Sequence, residues 1–477
     1  MRLRSLRPHL ILLACAFALY AALPTRTYYW DGVLFALNIE SVAQGHASPA
    51  MLIHPNHLLY SGFGYVLYRA ALYCGLTLRA ITILQFFNML ASTAAAALLY
   101  QIAKRVTNSA RSALFCATLF AFGATWWKFS TDADAYIVTV LLSLFAIFFI
   151  LQQPPRLVLA ALCHTAAMLF HQLAIFAYFA ILAAILLDRR WPKQKRVWIC
   201  GAYIFGTGAC VATVYWICYS QMDHSTYPSL ARFVASYASD SGFTRSFAQI
   251  LNSYLTSYGK LFFGGKLSLA REYLSVVSCL AFALCLAALG FAVRQFRRSG
   301  AEPSTQVDRR TKIVLWAWLL PYLIFLASWD PGSAFHKLFV WPAIVLALGI
   351  YLPLRGQRVK AWIAIAVAMA AWNFAAFIYP HSYASADPVL VLAQKVNREL
   401  PKNATIYYAA FSPDDWYLDY FAPGRSWIRL IGVPPPGPFC LDTTALTALA
   451  PGGDPTARWE LVNSQHNIRL ECFSFLR

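Results

Sequence analysis

Four sets of polar residues interrupt an otherwise apolar chain at spacings that suit chemistry. Asp31 stands in Tyr28-Tyr29-Trp30-Asp31-Gly32, and Asp132 and Asp134 stand in Ser130-Thr131-Asp132-Ala133-Asp134-Ala135-Tyr136. His171 is followed by Gln172, and Trp329-Asp330-Pro331 is followed closely by His336-Lys337. A carboxylate such as Asp31 can take the proton of an attacking hydroxyl. Two carboxylates one residue apart, Asp132 and Asp134, suit either of two tasks: holding a divalent cation such as Mg or Mn through oxygen ligands, or orienting substrate hydroxyls. A cation beside an imidazole, Lys337 with His336, can neutralise negative charge that develops on a reacting group. Plainer roles compete at every position. Asp31 could cap the helix that starts at Gly32, and Asp132 and Asp134 could be solvated turn residues favoured by a helix dipole. His171 could be a structural turn histidine, and Asp330 with Lys337 an interfacial ion pair. His164, in the middle of an apolar block, reads as a packed, hydrogen-bonded core residue.

The elements that must position these groups are membrane spans. Apolar residues make up 59% of the 477 and charged residues only 12%, against roughly 25% charged in a soluble domain. So few charges could not cover a water-soluble surface without leaving large apolar patches. The apolar residues also come in blocks of about 16 to 24, the length a helix needs to cross hydrocarbon. The blocks run from Leu10 to Leu23, Ala80 to Ala103, Ala113 to Trp127, Ala135 to Leu151, Leu157 to Leu187, Val197 to Tyr219, Tyr273 to Val293, Ile313 to Ser328, Leu338 to Leu354, and Ala361 to Ile378. The long block between Leu157 and Leu187 has Arg156 before it and Arg189, Arg190, Lys193, Lys195 and Arg196 after it. Both its ends therefore belong on the cytoplasmic side, so it should turn at His171-Gln172 and cross twice.

This reading gives an all-α polytopic membrane protein of about eleven transmembrane helices. The net charge of +19 sits mainly in short connections, which fits the positive-inside rule and argues against a nucleic-acid partner. That rule places the N-terminus in the cytoplasm and all four polar sets on the outer face, where ionisable groups at the membrane boundary tend to mark function. The first block is read as an uncleaved anchor in preference to a signal peptide. The first outer loop, 25–79, is too broken to span twice and fits amphipathic helices lying in the interface. From His381 onward the composition becomes that of a small α/β lobe, so residues 1–380 form the transmembrane part and 381–477 an extracytoplasmic domain. In it, Pro388 to Leu400 reads as a helix, Thr405 to Ala410 and Trp427 to Ile431 as strands, and Pro434-Pro435-Pro436 as a turn or linker. Cys440 and Cys472 lie in this lobe, either as a disulfide or as two free thiols.

Asp31 just after the first span, interfacial helices, and then His54-Pro55-Asn56-His57-Leu58-Leu59-Tyr60 resemble the first loop of GT-C glycosyltransferases, in particular the bacterial branch similar to protein O-mannosyltransferases. Asp134 with Tyr136 resembles the acid and Tyr that this branch carries at the start of its fourth span. His171 matches a His in the same hairpin, and Trp329-Asp330-Pro331 looks like the branch's late outer loop. The sequence departs from the branch at Gly32, where a second acid usually follows the first, and it lacks the Gly-Tyr usually found after His-Pro. The resemblance implies an inverting transferase of the bacterial inner membrane, with its C-terminal lobe in the periplasm. It implies Asp31 as catalytic base, and Asp132, Asp134, Tyr136, His54, His57, His171, Asp330, His336 and Lys337 around the substrate, with Arg69 or Lys128 as further phosphate partners. The donor implied is a polyprenyl-phosphate sugar and the acceptor a lipid, glycan or protein hydroxyl, with membrane lipids around the bundle. Two other readings stand beside it: a transporter or flippase of a lipid-linked or small polar substrate, and an inactive GT-C-like partner subunit.

Overall fold

A computed structural model of the protein describes residues 8–236, 247–299, 307–409, 415–430, 439–442, 444, 446–447, 454–462 and 467–473. The expected turn at Pro434-Pro435-Pro436, and Arg2, Arg4 and Arg7, lie outside the described residues. Helix α1 (Pro8–Ala22) is followed by two 14-residue helices, α2 (Trp30–Ala43) and α3 (Tyr60–Tyr73). Then come α4 (Ala80–Thr107), α5 (Ala110–Phe122), α6 (Ala124–Ser130), α7 (Tyr136–Ile150), α8 (Leu157–Phe170), α9 (Ala177–Leu186) and α10 (Lys193–Tyr219). The short α11 (Leu230–Val234), α12 (Phe247–Phe262) and α13 (Leu267–Glu272) lead to α14 (Val276–Arg297), α15 (Arg309–Trp329), α16 (Trp341–Tyr351) and α17 (Gly356–Asn373). Helix α17 runs through a π-turn, Phe374–Ile378, into the short α18 (Tyr379–His381).

Among the described residues, five helices are long and apolar enough to cross a bilayer on their own: α4, α10, α14, α15 and α17 continued to His381. Six shorter apolar helices complete the bundle. At about 1.5 Å rise per residue, a 15-residue helix reaches only about three-quarters of a 30 Å hydrocarbon core, so these depend on the turns that extend them. The block from Ala113 to Trp127 is not one helix but α5 and α6, broken at Gly123, and the long block breaks at His171 as the charge pattern requires. His164 packs in the core with Nε2 3.1 Å from the Ala174 carbonyl and Nδ1 3.2 Å from the Tyr203 hydroxyl.

The bundle has two chemically different ends. At one, Asp188 pairs with Arg190 and Arg310, and Arg310 also donates to the Ala184 carbonyl, tying α9 to α15. His9 stacks on Tyr100 there at 4.5 Å, so α1 and α4 run antiparallel. At the other end, Gln85 near the start of α4 donates to the carbonyls of Thr25 (3.0 Å) and Thr131 (2.8 Å). All four polar sets lie at this second end. Helices α2 and α3 pack there against α4 around Val33, Phe35, Ile39, Tyr60 and Leu84.

Beyond α18 the chain forms a lobe with α19 (Pro388–Glu399), α20 (Asp415–Phe421) and strands β1 (Thr405–Tyr408), β2 (Ser426–Arg429), β3 (Phe439–Asp442), β4 (Ala457–Val462) and β5 (Asn467–Phe473). Helix α19 starts where Asp387 caps the Val389 and Leu390 amides and Pro388 takes the first helical position. The sheet order is β2-β1-β3-β5-β4, with β1 parallel to both neighbours and β5 antiparallel to β3 and β4. Cys440 and Cys472 face each other in the β3–β5 register and form a disulfide. The lobe docks onto the first loop. Arg79 bonds both Glu40 oxygens at 2.9 Å and lies over the Tyr420 ring at 3.9 Å, while the Tyr420 hydroxyl donates to Glu40 at 2.8 Å. Phe421 stacks on Tyr28 at 5.3 Å.

Candidate active site

Asp31 occupies the first turn of α2, where the helix dipole favours an acid, but it is not the cap. The N-cap is Tyr29, and no side chain closes it. Gly32 explains the geometry that follows. A Cβ built on it would lie 1.9 Å from the Ala133 carbonyl oxygen, so only glycine lets α2 press directly on the loop 131–135. An acid at position 32 therefore has no room. The carboxylate beside Asp31 comes instead from Asp134, on the segment that Gly32 touches.

The loop 131–135 is built for that task. Asn88 of α4 donates to the carbonyls of Asp132 and Asp134, each at 2.8 Å. Asp132 is fully buried and not a solvated turn residue. It ion-pairs with Lys128, takes the Tyr29 amide at 2.8 Å, and takes the Ala133 amide at 2.8 Å. Asp134 accepts the Ala135 amide at 2.6 Å through Oδ1, while Oδ2 is buried without a hydrogen-bond partner. Among the described residues no donor reaches the Asp31 carboxylate. Burial pushes Asp31 up to about 6. Burial, then the Asp31 and Asp132 charges, pushes Asp134 well above the carboxylate range. Each carboxylate of the Asp31–Asp134 pair thus disfavours charge on the other, and the deeper Asp134 is the more strongly perturbed.

The histidines converge on Tyr136, two residues past Asp134. The His171 ring lies 5.1 Å from Tyr136 and 4.6 Å from His57. His54 is 5.1 Å from His57, and His336 is 6.0 Å from Tyr136. His57 Nδ1 sits 3.3 Å from the Phe170 carbonyl, and His171 Nδ1 accepts the Leu173 amide at 3.1 Å. Burial, reinforced by mutual repulsion, drives His57 and His171 well below the usual imidazole range, and burial brings His54 to about 4. Burial also lowers His336, despite its 2.8 Å contact with Asp330. For Asp330, burial acts upward but the His336 contact outweighs it, and the carboxyl stays below its ordinary value. The cluster is therefore neutral and polar. Tyr29 lies 4.9 Å from Phe335, which brings the late loop up to the first one.

Three expected placements differ. Lys337 is buried, and its ammonium donates to the carbonyls of Asp330 (3.4 Å), Pro331 (3.0 Å) and Ser333 (2.8 Å) beneath the rings of Tyr254 and Tyr258. With its donors taken, it braces the late loop and is not open to a phosphate. Burial lowers it to about 8. Arg69 is exposed on α3, bonded to the Tyr65 hydroxyl at 3.2 Å, and does not join the cluster. Asp132 has both oxygens committed to Lys128 and backbone amides, so Asp132 and Asp134 do not fit as a cation pair in this arrangement. Among the described residues no three His, Cys, Asp or Glu side chains are grouped to hold a metal ion.

The sequence reading missed a basic cavity of about 440 Å³ lined by Tyr29, Lys128, Lys260, Lys266, Phe335 and His381, among others. Lys260 and Lys266 flank Phe262-Phe263-Gly264-Gly265. Gly265 has φ +92° and would place a Cβ 2.0 Å from the Ala376 carbonyl of the π-turn, so this loop is locked in position. Asn373 holds it as well, accepting the Gly264 amide at 3.1 Å and donating to the Phe262 and Phe122 carbonyls. A π-bulge inside a helix is often found beside a functional site. Two lysines spaced around a Gly-Gly pair were the available signal.

Fold and site together define a multi-pass membrane protein. Residues 65–216 match the family described as dolichyl-phosphate-mannose-protein mannosyltransferase. No curated protein matches the sequence. ArnT from Cupriavidus metallidurans shares the fold over 97% of both chains. In its undecaprenyl-phosphate-bound form the TM-score is 0.60 at 11% identity, and in the apo state 0.62 at 12%. The GT-C resemblance is thereby borne out at the level of the fold.

Proposed function

We propose that this protein is a membrane glycosyltransferase that moves a sugar from a polyprenyl-phosphate donor to an acceptor hydroxyl, with inversion at the anomeric carbon. The observation that carries the reading is the buried Asp31 carboxylate, which no donor among the described residues reaches and which Asp134 neighbours. The acceptor O–H gives its proton to Asp31 as its oxygen bonds to the anomeric carbon, and the bond from that carbon to the phosphate oxygen breaks. The polyprenyl phosphate departs with the electron pair. Lys128, Lys260 and Lys266 face the developing phosphate charge, and the neutral imidazoles with Tyr136 line the sugar's surroundings. A donor of this class accords with the undecaprenyl phosphate bound by ArnT. The site is assigned to the outer leaflet, with the N-terminus in the cytoplasm, on the charge pattern of the short loops.

The test is transfer of radiolabelled sugar in proteoliposomes, with the product's anomeric configuration determined. Retention of configuration would rule out the single displacement, and transbilayer flux of the donor with no new glycosidic bond would favour a flippase. Because Asp31 acts in its ionised form, the rate should fall as pH drops through about 6, approaching tenfold per unit below that. A profile flat from pH 7.5 to 5 would remove Asp31 as the base. Lys260→Ala and Lys266→Ala should each raise the donor KM by about tenfold, the loss of one charged hydrogen bond, with the acceptor KM unchanged.

A further inference from the structure

A cavity of about 590 Å³ lies where the C-terminal lobe meets the first loop. Helix α2 supplies Glu40, Ser41 and Gln44 to its wall, α3 supplies Leu72, the approach to α4 supplies Arg79, and α20 supplies Asp419. Glu40 follows Asp31 by about two and a half helical turns, so the cavity and the candidate base lie on opposite faces of α2. This cavity is separate from the site described above.

Its charges do not balance. Glu40 already matches Arg79: Nε bonds both carboxylate oxygens, and Nη2 donates to the Tyr420 carbonyl at 3.0 Å. The rest of the guanidinium edge is open, the Arg79 side chain being 48% exposed. Asp419 is left over. It is half-buried, and among the described residues no donor or cation reaches its carboxylate. Burial, then the charge of nearby Asp415, pushes it up to about 6, a penalty that an opposite charge relieves. The cavity thus offers a carboxylate to a cation and a guanidinium edge to an anionic oxygen.

The position of Arg79 says what carries both groups. Arg79 immediately precedes α4, one of the long apolar spans. Seven and eleven residues further on, at helical spacing, Phe86 and Leu90 are 52% and 46% exposed. An outward apolar stripe about 16 Å long therefore runs from Arg79 down the span. We infer that the cavity binds the headgroup of a membrane phospholipid with a primary amine, of the phosphatidylethanolamine type. Its phosphate meets the open edge of Arg79, its ammonium meets Asp419, and one acyl chain lies along Phe86 and Leu90. A choline headgroup has no N–H to give Asp419, and a glycerol headgroup has no positive charge. Because Asp419 belongs to the lobe and Arg79 to the first loop, the bound lipid also fastens the two together.

The test places the full-length protein in nanodiscs of phosphatidylglycerol mixed with phosphatidylethanolamine or with phosphatidylcholine. Native mass spectrometry then counts the lipids that stay bound. Wild type should retain one phosphatidylethanolamine at about tenfold preference over either other lipid, the worth of one charged hydrogen bond. Its unfolding midpoint should also rise with phosphatidylethanolamine content. Asp419→Asn keeps the side chain's volume and removes its charge, and should erase both the preference and the rise. Asp415→Asn removes a neighbouring charge that lies outside the cavity wall, and should keep both. Equal retention of phosphatidylethanolamine and phosphatidylcholine by wild type would overturn the inference, and that comparison needs no variant to fold. So would a preference undiminished in Asp419→Asn, or one lost equally in Asp415→Asn. No readout involves sugar transfer, so the result is independent of the transferase reading.

Discussion

Replacing Asp31 by Asn lowers sugar transfer by about a thousandfold, the scale of a lost general base, and leaves the protein's thermal unfolding midpoint unchanged. Both halves come from the same geometry. Asn has the volume of Asp and no basicity. Since no donor among the described residues binds the Asp31 carboxylate, the substitution breaks no hydrogen bond among them. The loss should fall in kcat, because the proton moves only in the transition state. The measurement is single-turnover transfer alongside a melting curve for wild type and variant. Full transfer by the variant would leave the reaction without its assigned base.

Gly32→Ala produces the second large effect, through position in place of chemistry. The new Cβ would lie 1.9 Å from the Ala133 carbonyl oxygen and 2.9 Å from its carbon, and both are backbone atoms that cannot rotate away. Either α2 lifts or the loop 131–135 retreats, and Asp31 moves relative to Asp134 in both cases. Overpacking of this kind costs about 1–3 kcal/mol, and a displacement of about 1 Å at a reacting group costs about a hundredfold in rate. The expected result is a lowered melting point with transfer reduced by about that factor. Gly62→Ala on α3 is the control, since a Cβ there meets nothing within 4 Å; it should be silent. If both variants behave like wild type, the contact between α2 and the 131–135 loop does not position the base.

Much of this was legible in the sequence where the signal was local. Apolar blocks and flanking Arg residues located the helices, and the conflict of charges around Leu157 to Leu187 located the break at His171. Asp31 and Asp134 could be singled out because ionisable groups are rare in such a chain. What failed was anything decided by a distant partner. Lys337 looked like an open cation because the rings of Tyr254 and Tyr258 that enclose it come from a distant helix. The commitment of Asp132 was hidden because the Tyr29 amide that it accepts lies 103 residues earlier in the chain. Lys260 and Lys266 went unnoticed because their significance depends on Gly265 packing against a π-turn over a hundred residues later. Cys440 and Cys472 could be read either way until the β3–β5 register set them opposite each other.

The joint among Glu40, Arg79 and Tyr420 bears on how such proteins can be cut and recombined. Glu40 and the Asp31 turn belong to one rigid rod, and the tail grips that rod through α20 and through Phe421 on Tyr28. Tail and first loop are in effect a single cassette wrapped around the start of α4. A chimera that imports one without the other inherits a mismatched seam some nine residues from Asp31, whereas exchanging both together carries the seam intact.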